Sequence, residues 1–332
     1  MCSTWEDHLF AHLNSVTETQ YYNYLLMHQR IPVTVQKFPI YDAIQHHGGP
    51  DAKFLPRIID SLQADSRVSA EAHHPQRILQ GSLISERLAE TLKEMSRQVE
   101  LLKQDPEYEP SAEERHSTGL DISDFRLLRV VVHIVLILET LGSGFSPGSQ
   151  EWQYAEDVVA GYMDVLASSG KYRLVPLYAG QISKQRASKE MGVILVKVTD
   201  EATRIELLSL MKNYAINIHE SLKYMMCNVF EITAPAYIKV PLPNWTGILA
   251  PRTTGINDTQ SLTEADEIMI RALEWMLLVP ELKGQIMQDG CIVYNRFLCK
   301  PPTLHHMPHN TDNFVDSNWQ ISRCQRVRET NT

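Results

Sequence analysis

Apolar residues recur at helical spacing along most of this chain. Trp5, Leu9, Leu13 and Val16 step by four and three, which places one face of a first helix against a core. Ser3, followed three residues later by Glu6, reads as its capping box. In "DAKFLPRIIDSLQADS", Phe54, Leu55, Ile58, Ile59 and Leu62 repeat the pattern, with Pro56 suited to a first turn. Pro75 at a first helical position then predicts one long helix over roughly 75–103. Within it, Leu88, Leu92, Met95, Val99 and Leu102 alternate four and three apart. About two heptads fall short of the three or four that a coiled coil needs, so this spacing predicts core packing.

"LLRVVVHIVLILETLG", residues 127–142, is the most apolar stretch. At about 1.5 Å per residue it reaches roughly 24 Å, short of the bilayer's hydrocarbon core, so no transmembrane segment is predicted. Around the helix, Arg129, His133 and Thr140 share one narrow stripe, while Val130, Val131, Val132, Ile134, Val135, Leu136, Ile137, Leu138 and Leu141 cover most of the circumference. The expectation is a helix packed on several sides by other helices.

Helical spacing resumes after "GSGFSPG" at Ala155, Val158, Val159, Tyr162, Met163, Val165 and Leu166, and Gly170 ends that run as a glycine just past a helix would. Four shorter patterns follow: "KYRLVPLYAGQI", "SKEMGVILVKV", "DEATRIELLSLMKNYAIN" and "INIHESLKYMMCNVFE". Short connections between them predict antiparallel hairpins. A last group is built on Ile268, Ile270, Leu273, Trp275, Met276 and Leu277. "AYIKVPL" is the longest stretch with period-two alternation. The fold class is all-α. Helical pairs of loosely repeating length favour an irregular α-helical solenoid of stacked antiparallel helices. The division predicted is a helical segment 1–103, a polar loop 104–120, a central solenoid 121–231, a Pro-rich linker 232–260, a terminal helical segment 261–299 and a disordered tail 300–332.

A chain of 332 residues with 43% hydrophobic and 21% charged residues has globular composition. A formal charge of -9 with no run of Lys and Arg argues against direct nucleic-acid binding. Glu6 and Asp7 stand where a secretory signal would carry positive charge. Five cysteines, Cys2, Cys227, Cys291, Cys299 and Cys324, are odd in number and lack any C-x-x-C, which fits reduced thiols of cytosol or nucleus. The sequons at Asn244 and Asn257 would then carry no glycan.

Candidate chemistry is sparse. Glu71-x-x-His74 and Glu113-x-x-His116 have the i, i+3 spacing that puts a carboxylate and an imidazole on one helical face, as di-iron bundles require. His74, however, directly precedes Pro75, where a helix starts, and His116 falls in the polar loop. His8 and His12 are i, i+4 neighbours without an H-E-x-x-H frame. His305, His306 and His309 cluster in the predicted tail. "GSGFSPG" lacks the preceding strand and following Lys-Ser/Thr of a phosphate loop, so it reads as a helix terminator. No G-x-S-x-G elbow occurs, and no Cys stands in an obvious His or Asn context. Neither catalytic, cofactor-binding nor metal residues are assigned.

Five segments occur in an order that resembles the nucleoporin 84/107 family: "WEDHLFAHL" (5–13), "HPQRILQGSLI" (74–84), "LLRVVVHIVLILETLG" (127–142), "YMDVLASSGKYRLVPLYAGQI" (162–182) and "IMIRALEWML" with "NRFL" (268–298). That family supplies a scaffold subunit of the Y-shaped outer-ring complex of the nuclear pore. The resemblance implies an irregular helical solenoid, no catalysis, no cofactor, and other outer-ring nucleoporins as partners. It also implies a location in the nucleus at the nuclear pore complex, peripheral to the nuclear membrane, with mRNA export and protein import supported by holding the pore together. Family members are longer, so the chain reads as a partial one, and the contacts the family makes through its two ends are not carried over. A last hairpin without the next repeat would leave Trp275, Leu278, Ile286 and Val293 partly bare. The alternatives are a helical-repeat adaptor of another coat-like complex and a di-iron helical-bundle oxidase, the latter requiring stoichiometric iron.

Overall fold

The computed structural model describes residues 2–28, 51, 53–105, 120, 122, 124–237 and 263–298. Among these every regular element is helical, which gives the all-α class. Two compact units divide the chain, residues 1–165 and 166–332.

The first unit opens with α1, Trp5–Met27. Its capping box lies one residue later than Ser3 and Glu6 suggest. The Asp7 N–H donates to Thr4 Oγ1 at 3.2 Å and the Thr4 N–H donates back to Asp7 Oδ2 at 3.2 Å. Glu6 is taken instead by Arg77, with which it forms an ion pair. Helix α2, Phe54–Ala64, holds Pro56 in its first turn and buries Phe54, Ile58, Ile59 and Leu62. These join Trp5, Leu9, Val68 and Ala72 in one core cluster, against which Leu13, Val16, Leu55 and Ile84 pack. The single turn α3, Ser69–Ala72, leads into α4, Pro75–Ile84.

The long helix expected over 75–103 is two. Helix α4 ends at Ile84 and α5 runs Leu88–Gln104, with Glu86 between them in the left-handed region at φ 59°. The Arg87 N–H donates to Ser82 O at 2.8 Å and the Glu86 N–H to Leu83 O at 3.3 Å, the paired bonds of a Schellman terminus. In α5 the spaced residues Leu88, Leu92, Met95 and Val99 are buried and Leu102 is half-buried, as core packing requires. The side-chain amide of buried Gln98 donates to Leu120 O at 3.2 Å and accepts from the Ile122 N–H at 3.3 Å. Most of the predicted loop 104–120 lies outside the described residues.

Helix α6, Phe125–Thr140, corrects a second expectation. Leu127, Leu128, Val131, Val132 and Val135 are buried, yet Val130 and Ile137 are exposed on the opposite arc, as is Leu141 just beyond. The helix is a one-sided core element, because its solvent arc extends well to either side of the Arg129/His133/Thr140 stripe. "GSGFSPG" terminates it. Gly142, at φ 68°, places its N–H on Glu139 O and the next N–H, of Ser143, on Leu138 O, each at 3.0 Å. Helix α7, Gln150–Ser168, follows. Gly170, at φ 71°, ends it with the same pair of bonds, to Ala167 O and Leu166 O.

In the second unit a 3₁₀ turn, Tyr172–Leu174, and α8, Val175–Ala179, precede three longer helices: α9, Lys184–Leu195; α10, Glu201–Asn213; and α11, Ile218–Thr233. Helices α9 and α11 approach backbone to backbone. A Cβ on Gly192 would stand 2.8 Å from both Met225 N and Ser221 O, so only glycine admits this contact. After a 3₁₀ turn, Ala234–Tyr237, residues 238–262 are not described, and α12, Glu264–Leu277, and α13, Lys283–Leu298, are the last described helices of the unit. Trp275 and Val293 are buried, Leu278 and Ile286 half-buried. The expected bare hairpin is therefore corrected at its largest residue: the α12 Trp is taken up by the C-terminal end of α9.

Candidate functional site

The interior of the second unit is held by polar ties that local sequence pattern does not announce. Trp275 donates its indole N–H to Leu195 O at 3.0 Å, consuming one of the carbonyls that the end of α9 leaves open. Beside it, buried Arg204 of α10 donates to Glu274 Oε2 at 2.7 Å and to Val198 O at 3.3 Å, its guanidinium carbon 5.7 Å from the Trp275 ring centroid. Arg296 of α13 donates to Thr233 Oγ1 at 2.7 Å and to Phe230 O at 3.2 Å, at the C-terminal end of α11. It also lies over the rings of Phe230 and Tyr237, at 4.8 and 5.6 Å. The Tyr237 hydroxyl donates to Asp266, whose other carboxylate oxygen caps α12 by accepting from the Thr263 N–H at 2.8 Å. Burial, and then the hydrogen bond to Asp266, push the Tyr237 phenol above its ordinary range; burial pulls Arg296 below its own. These groups join helices.

The sequence candidates for metal chemistry are dispersed. Glu71 accepts from the Trp5 N–H at 2.9 Å and from Arg77 at 3.1 Å, while Arg77 stacks 5.2 Å from the Trp5 ring centroid. His74 is exposed at the position preceding α4. His8 is buried, with Nδ1 3.8 Å from Asp65 Oδ2, whereas His12 is half-buried. Glu113, His116, His305, His306 and His309 lie outside the described residues, as do Asn244, Asn257, Cys299 and Cys324. Among the described residues no three His, Cys, Asp or Glu side chains converge to hold a metal ion. Nor is any described helix long and apolar enough to cross a membrane. Cys2 and Cys291 are exposed and Cys227 half-buried, all as thiols. An open cleft of about 590 Å³ in the first unit is lined by Leu13, Val16, Phe54, Leu55 and Pro56 with Asp51 and Glu86 at its polar side. Asp51 is bound by Arg57 at 2.7 Å.

What both units offer outward is apolar helix surface. In the first, Val130, Ile137 and Leu141 of the α6 arc are 46, 57 and 71% exposed. In the second, Ile232, Leu277, Met287 and Tyr294 are exposed on α11, α12 and α13. Surface of this kind suits protein association. Sequence pattern alone assigned the α6 residues to the interior; the Arg129/His133 stripe, which marks the centre of the solvent arc, was the signal that could have located them.

The family described as nuclear pore protein 84 / 107 matches residues 1–301. Nucleoporin NUP84 of Chaetomium thermophilum is 28% identical over 333 residues, covering 90% of this chain and 34% of the relative. Nucleoporin nup107 of Schizosaccharomyces pombe is 25% identical, covering 90% and 33%. Nuclear pore complex protein Nup107 of Homo sapiens is 21% identical, covering 90% and 28%. The chain thus spans about a third of the length of the curated relatives it matches. With a match running through all thirteen described helices, this chain belongs to the nuclear pore protein 84 / 107 family.

Proposed function

We propose that this chain is a non-catalytic, structural segment of the nuclear pore scaffold, located at the nuclear envelope and bound to other outer-ring nucleoporins. Through that scaffold it supports mRNA export and protein import. The observation that carries the reading is the family match over residues 1–301. The all-helical build and the interior ties of Arg204, Trp275 and Arg296 support it, since they spend the polar residues on joining helices. In this reading the helical segments 1–103, 121–231 and 261–299 stack as parts of an irregular solenoid, with 104–120 and 232–260 as connections and 300–332 as a tail. No metal, cofactor or nucleic acid is part of it.

The test is expression of the full chain with a fluorescent tag, followed by crosslinking and mass spectrometry. A continuous signal at the nuclear rim with crosslinks to outer-ring nucleoporins is expected. A diffuse signal, with crosslinks to the subunits of another coat, would replace the reading with that of a coat adaptor.

A further inference from the structure

The exposed arc of α6 carries two parallel rails. At about 100° per residue, Val130, Ile134, Ile137 and Leu141 fall in line, four, three and four apart; Ile134 is half-buried and the other three are exposed. Alongside run Arg126 and Arg129, both exposed. The Arg126 guanidinium stands 5.9 Å from the Phe125 ring centroid, and neither arginine is in an ion pair among the described residues. In a chain of net charge -9, two exposed cations without an ion-pair partner among the described residues border this exposed apolar line, with the Asp124 carboxylate engaged in capping the helix at the Arg126 N–H.

We propose that α6 docks an amphipathic helix of another protein whose apolar stripe is edged with Asp or Glu. The four-three-four spacing is that of the apolar seam along which one helix packs lengthwise on another. The arginines choose the partner's edge, because a carboxylate set against them gains Coulomb energy while a basic edge is repelled. A second copy of this chain is a poor occupant. Paired in parallel, it sets arginine against arginine; paired antiparallel, it offers Arg126 and Arg129 the Ile137–Leu141 end, whose acidic residue Glu139 is turned toward the Gly144 backbone. The inference deepens the scaffold reading and rests on it for the existence of a partner.

The test places the photo-crosslinking residue benzoylphenylalanine at position 137 of the full chain in cells, sequences the crosslinked peptide and scores the nuclear rim in parallel. The expected product is a segment of another protein with apolar residues three and four apart and Asp or Glu beside them. The pair Arg126→Glu and Arg129→Glu should lower its yield about tenfold, while Arg126→Lys with Arg129→Lys should keep most of it. Raised salt acting on the unsubstituted chain in permeabilised cells must lower the yield as well, a readout that needs no variant to fold. No crosslink, a crosslink to this chain itself, or one to a segment without acidic residues overturns the inference; if the rim signal persists, the scaffold reading stands. An acidic amphipathic crosslink without a rim signal overturns the pore assignment alone.

Discussion

Glu71 reaches across 66 residues of sequence to cap α1, its carboxylate accepting the Trp5 N–H at 2.9 Å. The first turn of a helix leaves its N–H groups unmatched, and a carboxylate there satisfies one of them and opposes the positive end of the helix dipole. The same side chain binds Arg77, which covers the Trp5 ring. Glu71→Ala is expected to lower stability by about 1–2 kcal/mol, read as an earlier denaturant midpoint. Hydrogen exchange should accelerate at Trp5 while the second unit keeps its protection. Unchanged exchange at Trp5 would show that water serves as well as the carboxylate.

Two neighbours on α6 separate its faces. Val132 is fully buried and Val130 is 46% exposed. Val132→Asp puts a carboxylate among apolar atoms and should cost several kcal/mol. Val130→Asp should fall within about 0.5 kcal/mol of the parent. Equal melting curves for the two variants would contradict the one-sided burial of the helix.

Ala215 ends α10 in the left-handed region, at φ 56°, with its N–H on Lys212 O and the Ile216 N–H on Met211 O. The Cβ makes that conformation cost about 1–2 kcal/mol, of which glycine's greater unfolded-chain entropy returns a part. Ala215→Gly, and Glu86→Gly at the α4 terminus, should each therefore stabilise by about 0.5–1 kcal/mol. Thermal unfolding measures it, and a lower melting temperature in both would contradict the assigned backbone.

Asp200 caps α10. The Thr203 hydroxyl, at 2.6 Å, and then the Thr203 N–H, at 2.8 Å, hold its pKa below the usual carboxylate range. With the folded value depressed, the stabilisation is complete above the unfolded pKa, about 3.9, and fades as pH falls toward the folded one. Asp200→Asn keeps an acceptor that does not titrate. Its acid unfolding should accordingly lose steepness below about pH 4 and match the parent's slope near neutrality. An identical acid limb would remove Asp200 from the groups that set it.

Helix positions were legible wherever a local signal exists. Gly142 and Gly170 mark helix ends because glycine is the usual residue at a left-handed position; Glu86 and Ala215 make the same turn without that mark, which is why 75–103 reads as unbroken. The first capping box was legible only to within one residue. Ser3/Glu6 and Thr4/Asp7 both satisfy the pattern, and the choice is made by Arg77, which takes Glu6 from another helix. Glu71 looked like half of a metal motif because spacing reveals which side chains share a face and not what comes to meet them. The α6 arc failed for a related reason: apolarity measures the tendency to be covered, and Ile137 has that tendency while exposed.

Asp266 receives the Tyr237 hydroxyl from one side of residues 238–262 and the Thr263 N–H from the other. Both banks of that stretch are thus moored to one carboxylate, and Arg296 ties the nearer bank to α13. The placement of α12 against α11 is thus supported by bonds between residues on either side of the stretch. A cut in the chain between positions 237 and 263 would leave both bonds of that carboxylate available, so the two helices share a tie that does not depend on the covalent connection between them.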